Sequence, residues 1–331
     1  MITTYLRSSS YSAYDFCPHK YYLQYVLGLF EPSNKKADKG NIVHKALELL
    51  AKRRIAELRN EERVSDIEVF GEDSIPAKSI SPEFALEKAW AHCTSKFTNH
   101  QWEIADFNWC EKAINIVLDF NKGMFSPLNM NVLAAEQRFD FEIIKPWSHY
   151  KWGDIEGYLG LKGTIDLIVQ PYENVIEIVD WKTGQRKDWN TNEEKTIVKL
   201  EDDPQLRIYY YAARQLYPDI QDVFITIFYI MDGGPFSICF SGNELERTEE
   251  MIKERFEKIK STQRPKLIYP DWKCTKLCHF GKVKIGPNED DKTICMHHKD
   301  EIIQLGIDRA TKKYADMNKL TKYGAGGGKY E

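Results

Sequence analysis

Gly163-Thr164-Ile165-Asp166-Leu167-Ile168-Val169-Gln170-Pro171-Tyr172-Glu173-Asn174-Val175-Ile176-Glu177-Ile178-Val179-Asp180-Trp181-Lys182-Thr183-Gly184 is the stretch that decides how this chain folds. Two apolar, β-branched runs flank the turn cluster Pro171 to Asn174, which is the pattern of a β-hairpin. Three charged residues stand where a buried strand should avoid them: Asp166, Asp180 and Lys182. Asp180 and Lys182 are two residues apart, so their side chains leave one face of a strand. A hairpin centred on Glu173 sets Asp166 opposite Asp180, and opposed residues of an antiparallel pair share a face. A slip of one residue would turn Asp166 to the other face.

Two carboxylates and an ammonium on one patch can make a metal site with a catalytic cation beside it. Hard oxygen ligands suit Mg²⁺ or Mn²⁺. An ordinary surface hairpin with a salt bridge is the other reading. Ile165, Leu167, Val169, Ile176, Ile178 and Val179 oppose it, because they point to a strand pair buried on both faces. In such a pair each charge needs a partner or a job.

The 331 residues allow one large domain with insertions, or two smaller ones. A net charge of −4 argues against wholesale electrostatic wrapping of DNA. Any nucleic-acid contact must come from a local basic groove. The aromatic share of 13% offers rings for base stacking, although cores use such rings too. No run of roughly 18 apolar residues is present, so no membrane helix is expected. The start has no signal-peptide pattern, and a cytoplasmic, intracellular protein is expected. Its seven Cys are then expected free or metal-bound rather than disulfide-paired.

In chain order, Ser8 to Ser10 can cap a short helix ending before Pro18, and Pro18 opens a second. Asn34 to Lys39 reads as a polar loop, with a helix opening at Gly40 and carrying His44 and Glu48. Residues 60–81 read as an exposed insertion loop. Helices are expected over 82–104 and 108–124, and strands over 131–143, with Glu136 inside, and 152–161. Pro204 opens a helix capped by Asp202 or Asp203, on which Gln205 and Tyr209 lie one turn apart. Strands follow over 222–231 and 236–241. A charged helix capped by Asn243 runs to about Ser261. The region 265–298 reads as irregular, with a last helix over 299–313. Residues 314–331 read as a flexible, Gly-rich tail. Cys93, Cys110 and Cys239 fall in periodic apolar segments and read as core.

Four motifs in order resemble the PD-(D/E)XK nucleases of the RecB type, which include helicase–nuclease domains and exonucleases of CRISPR adaptation. They are Gly40-x3-His44, Gly163-x2-Asp166, Asp180-x-Lys182-Thr183-Gly184 and Gln205-x3-Tyr209. The resemblance spans about residues 8–300 apart from 60–81. It implies an α/β fold: a restriction-endonuclease-like mixed sheet flanked by helices, with helical and Cys-rich caps. One nuclease domain would cover 1–313, with the Cys-rich cap at 265–298 joined to the N-terminal helix. Asp166, Asp180 and His44 would bind the divalent metal, helped by the Trp181 carbonyl. Glu136 would be a supporting ligand. Lys182 would orient the attacking water, and Gln205 and Tyr209 would contact substrate or support Lys182. The basic residues Lys182, Arg186, Lys187, Lys195 and Arg207 would line the DNA path.

Cys17 with the later Cys274, Cys278 and Cys295 also resembles the iron–sulfur members of that family. Those members use one early and three late Cys. Four thiolates can hold a 4Fe-4S cluster or a Zn²⁺ ion. The late spacing here is wider than the family's usual one. His279, His297 and His298 stand nearby as substitutes that would favour zinc.

The function implied is a metal-dependent deoxyribonuclease, an exonuclease on single-stranded or end-containing DNA. Repair, recombination, replication and CRISPR-type processing are its candidate settings. A non-cutting nucleic-acid-binding subunit and a structure-specific endonuclease are the alternatives. The intact Asp-x-Lys and both carboxylates oppose the first. The late Cys group opposes the second. No Gly-x4-Gly-Lys-Ser/Thr is present, so a helicase or other recombination protein would be a separate partner.

Overall fold

A computed structural model describes residues 1–187, 193–268, 271–288 and 290–315. The expected tail beyond 315 lies outside the described residues. The chain divides into two compact units: residues 1–32, 139–163 and 246–331, and residues 33–138 and 164–245.

The strands are β1 (Tyr5–Leu6), β2 (Arg63–Ser65), β3 (Ser74–Pro76), β4 (Val132–Glu142), β5 (His149–Trp152), β6 (Ile155–Tyr158), β7 (Gly160–Tyr172), β8 (Val175–Lys182), β9 (Asp222–Tyr229) and β10 (Gly234–Phe240). Six of them form one mixed sheet in the order β1-β7-β8-β9-β10, with β4 also paired to β7. β1 runs parallel to β7, β8 antiparallel to β7, β9 parallel to β8, and β10 antiparallel to β9. The β7–β8 hairpin pairs Leu167 with Val179 and Ile168 with Ile178. One further step of that register brings Asp166 alongside Asp180. The six flanking residues that argued for burial on both faces are all buried.

The helices are α1 (Ser8–Phe16), α2 (Pro18–Tyr21), α3 (Lys35–Leu58), α4 (Ile67–Phe70), α5 (Pro82–Lys96), α6 (Ile104–Asp119), α7 (Ile197–Glu201), α8 (Pro204–Leu216), α9 (Glu244–Ser261), α10 (Trp272–Lys276), α11 (His279–Lys282), α12 (Ile294–Leu305) and α13 (Ile307–Tyr314). In the second unit α3, α5 and α6 cover one face of the hairpin. Val43, Leu47, Leu50, Ala89, Cys110 and Ile114 pack there with Leu167, Val179, Trp181 and Phe228. Side chains alternate along a strand, so Ile176, Ile178, Asp180 and Lys182 leave the other face. α8 packs beside β9, and its Tyr210 stacks on Phe240 at 5.1 Å.

Several boundaries differ from expectation. α3 starts at Lys35 rather than Gly40, because Asn34 caps it: its side chain accepts from Ala37 N at 3.0 Å. The Lys-rich stretch taken for a loop is therefore the start of the helix that carries His44. Residues 60–81 are not an irregular loop but the β2–β3 pair and α4, whose cap is the buried Asp66. α5 ends at Lys96 and α6 runs Ile104–Asp119, where helices over 82–104 and 108–124 were expected. The strand expected over 152–161 is instead the β5–β6 hairpin followed by the start of β7. In the Cys-rich region α10 and α11 are short helices, and α12 begins at Ile294. Gly306, at φ +79°, separates α12 from α13, which the sequence had merged. Cys239 is exposed rather than core, because β10 alternates and buries Ile238 and Phe240 instead.

Candidate active site

α3 delivers His44, β4 delivers Glu136, and β7 delivers Asp166. One ligand atom from each lies within 4.8 Å of the other two. His44 Nδ1 is 3.4 Å from Asp166 Oδ2, and that same oxygen accepts the Trp181 backbone N–H at 2.9 Å. The hairpin partner thereby fixes the carboxylate. Glu136 reaches the group from a left-handed backbone position, φ +48°, which is costly for a side chain other than Gly and breaks the regularity of β4.

Gly40 explains how α3 comes so close. A Cβ there would stand 2.8 Å from Thr183 Oγ1. The glycine of the first motif therefore seats the helix on the threonine of the third, and His44 follows one turn later. Gly163 has a comparable reason: a Cβ would collide with the Phe139 ring.

Asp180 is 1% exposed and its two oxygens are divided. Oδ2 lies 2.6 Å from Lys182 Nζ, and Oδ1 accepts from Gln205 Nε2 at 2.9 Å. Gln205 Nε2 also donates to the Tyr209 hydroxyl at 2.8 Å. Asp203 caps α8, accepting from Gln205 N at 2.9 Å. Of the two capping candidates, Asp203 is the one used.

The charges set one another's protonation. Burial works against a charged His44, but the Asp166 carboxylate outweighs it and lifts the imidazole to about 9. Burial and the charges of Asp166 and Glu48 push the Glu136 carboxyl up to about 8. Burial raises Asp180 as well, with Lys182 opposing. Burial disfavours the Lys182 ammonium, yet Asp180 and Asp166 hold its pKa above the ordinary lysine value. Three carboxyl groups, an imidazole and an ammonium thus share one buried patch and shift one another's protonation.

The structure thus brings together His44, Glu136 and Asp166, and joins Asp180, Lys182, Gln205 and Tyr209 in a second, adjoining group. It does not leave all the basic residues facing outward. Arg207 is 2% exposed and pairs with Glu244 at 2.9 Å and Asp202 at 3.1 Å, so as placed it holds α8 rather than lining a DNA path. Arg186 lies over the Phe236 ring, and Lys195 pairs with Asp203.

The sequence reading also missed a buried network beside His44. Lys45 and Lys52 each sit 2.6 Å from a Glu48 oxygen, and Lys52 is 2.8 Å from Asp66. The signal was present in a Glu flanked by Lys at helical spacing.

Cys17 joins α1 to α2, Cys274 lies in α10, Cys278 caps α11, and Cys295 lies in the first turn of α12. All four are buried thiols. Burial together with Cys17, Cys278 and Cys274 pushes the Cys295 thiol up to about 12, so the four share one neighbourhood. Burial raises Cys278 too, while the backbone N–H groups of Gly281 and Phe280 favour its thiolate. Gly281 permits this turn: a Cβ would stand 2.5 Å from the Cys274 carbonyl oxygen. His298 is buried with no partner for Nδ1, and burial lowers its pKa to about 4. Among the described residues, His44, Glu136 and Asp166 are the group whose ligand atoms come within 4.8 Å of one another; the four thiols are neighbours but not so tightly gathered.

A family model described as the PD-(D/E)XK nuclease superfamily matches residues 8–283. The chain belongs to that superfamily. Its substrate is accordingly a nucleic acid, and nucleases of this superfamily use divalent metals. The matched span includes both groups of the site and Cys17, Cys274 and Cys278, but ends before Cys295. A crystal structure of a "Putative exonuclease" from Eubacterium rectale is similar at 13% identity and a TM-score of 0.48, covering 86% of this chain and 91% of that one. No curated protein matches this nuclease. No helix among its described residues is long and apolar enough to cross a membrane.

Proposed function

We propose that this nuclease is a divalent-metal-dependent deoxyribonuclease acting exonucleolytically on single-stranded or end-containing DNA. The observation that carries the reading is the convergence of His44, Glu136 and Asp166 beside the Asp180–Lys182 pair. His44, Glu136 and Asp166 hold the ion, with Asp180 and the Trp181 carbonyl completing the set. Mg²⁺ or Mn²⁺, when bound, polarises the phosphate and lowers the pKa of water. Lys182 offers a compact positive charge where negative charge develops on the phosphate. Gln205 holds Asp180 from the side opposite Lys182, and Tyr209 holds Gln205. Lys182 is thereby kept from collapsing across the site.

Cys17, Cys274, Cys278 and Cys295 hold a 4Fe-4S cluster in this reading, with structural Zn²⁺ as the other occupant of the same thiols. What supports a bound group is the burial of four thiols in one neighbourhood and the amide N–H groups turned to Cys278. Its work is structural, tying α1 and α2 to α10, α11 and α12.

The test is digestion of end-labelled linear and closed-circular DNA, single- and double-stranded, and of RNA, with Mg²⁺ or Mn²⁺. Cutting of linear DNA alone is expected. Cutting of circles would establish an endonuclease, and cutting of RNA alone would replace the substrate. No cutting by a folded, metal-loaded sample would leave a binding subunit.

A further inference from the structure

Lys195 reaches the group around Asp180 through Asp203. Lys195 Nζ lies 2.9 Å from Asp203 Oδ2. The other oxygen of Asp203 accepts the backbone N–H of Gln205 at 2.9 Å. Gln205 Nε2 donates to Asp180 Oδ1, and Asp180 Oδ2 holds Lys182 at 2.6 Å. A continuous chain of contacts therefore runs Lys195–Asp203–Gln205–Asp180–Lys182.

Arg186 fixes the Lys195 backbone from the other side. Its backbone N–H donates to Asp232 Oδ2 at 2.7 Å, and its guanidinium donates to the Lys195 carbonyl at 3.2 Å while lying 4.1 Å from the Phe236 ring centroid. Lys195 thus has its backbone fixed on one side and its ammonium on the other.

A stabilising surface pair is the plain alternative, and exposed pairs contribute little. Two observations argue for more. Lys195 and Asp203 side chains are only 28% and 18% exposed. The start of α8 is also anchored separately, through Arg207 to Asp202 and Glu244 and through the Tyr210 hydroxyl to the Ser241 carbonyl at 2.6 Å. α8 as a whole therefore has other anchors, while Lys195 and Asp203 bear on the backbone of its first turn, from which the Gln205 side chain reaches Asp180.

We propose that Lys195 and Asp203 are positioning residues: together they orient Gln205, and through it the Asp180–Lys182 pair, for phosphodiester cleavage. This rests on the reading of Lys182 as the catalytic cation.

The test compares wild type, Lys195→Met, Lys195→Arg, Asp203→Asn and the Lys195→Met/Asp203→Asn double variant, with Lys182→Ala as control. Asn keeps the cap acceptor and removes the charge. Removing a supporting partner of this kind typically lowers activity about 10- to 100-fold. The expected result is a kcat fall of that size in Lys195→Met and Asp203→Asn, with KM for DNA and the melting temperature unchanged. Lys195→Arg should stay near wild type, and the double variant should be no worse than either single, because the residues act in one chain. Wild-type kcat in Lys195→Met overturns the proposal. So does a raised KM at unchanged kcat, which would make Lys195 a DNA contact. Equal cutting by wild type and Lys182→Ala would instead sink the reading of the active site. A readout independent of cutting is the Gln205 side-chain amide resonance, assigned by its loss in Gln205→Leu. It should move in Lys195→Met, and a resonance that stays in place overturns the proposal even if the protein does not cut.

Discussion

Lys182 Nζ lies 2.6 Å from Asp180 Oδ2, two residues back on the same strand face, while Gln205 holds the other Asp180 oxygen from α8. The ammonium is thus buttressed by a carboxylate that is itself buttressed. Lys182→Ala removes charge at the developing phosphate dianion and should lower kcat by at least about 100-fold. DNA and metal binding should be retained, since neither the ion-binding trio nor the fold changes. A binding assay run beside the kinetics checks this; lost DNA affinity at normal turnover would contradict it.

Gly40 and Thr183 make a second, sharper test. Gly to Ala inside a helix ordinarily gains about 0.5–1 kcal/mol. Here the new Cβ would lie 2.8 Å from Thr183 Oγ1. Gly40→Ala should therefore lower both the melting temperature and activity, by displacing α3 and with it His44. Thr183 Cβ lies 4.0 Å from the same point, which is ordinary contact. Adding Thr183→Ala should then restore stability. A Gly40→Ala protein more stable than wild type would show that the approach is loose.

The hairpin was legible because its chemistry is local. Period-2 burial, a turn cluster and three misplaced charges occupy one continuous stretch, and register then follows from arithmetic. Glu136 was harder. Its inward aim needs a left-handed backbone at a non-glycine residue, which composition does not announce. The Lys45–Glu48–Lys52–Asp66 network was legible only in its helical Lys–Glu–Lys spacing, not in its tie to Asp66. Asp66 lies in a stretch whose polarity reads as loop, and only the tertiary fold buries it against α3. Arg207 was misread because a basic residue near an active strand resembles a substrate contact until its two carboxylate partners are seen.

Metal affinity should depend on pH, and the sign follows from the site. Without metal, His44 keeps its proton below about 9 and Glu136 below about 8. An ion needs both groups deprotonated. Mg²⁺ affinity should rise from pH 6 to pH 9, and binding at neutral pH should release protons. Calorimetry in two buffers of different ionisation heat measures that release. Affinity that is flat over this range, with no proton release, would contradict the arrangement.

Loss of the group held by the four cysteines should act on the unit that contains them. Protein purified without oxygen should carry iron and acid-labile sulfide in equal amounts. Cys17→Ala and Cys295→Ala should each lose the iron and lower the melting temperature. Zinc in place of iron would assign the other occupant. Four freely titrating thiols in a stable, metal-free protein would contradict both.

The central claim is that His44, Glu136 and Asp166 hold a divalent ion next to Lys182. Anomalous diffraction from crystals grown with Mn²⁺ tests it most directly. A peak bonded to all three side chains, and absent from crystals of Asp166→Ala, is the predicted result. A Mn²⁺ peak elsewhere, with none of these three side chains bonded to it, would contradict it.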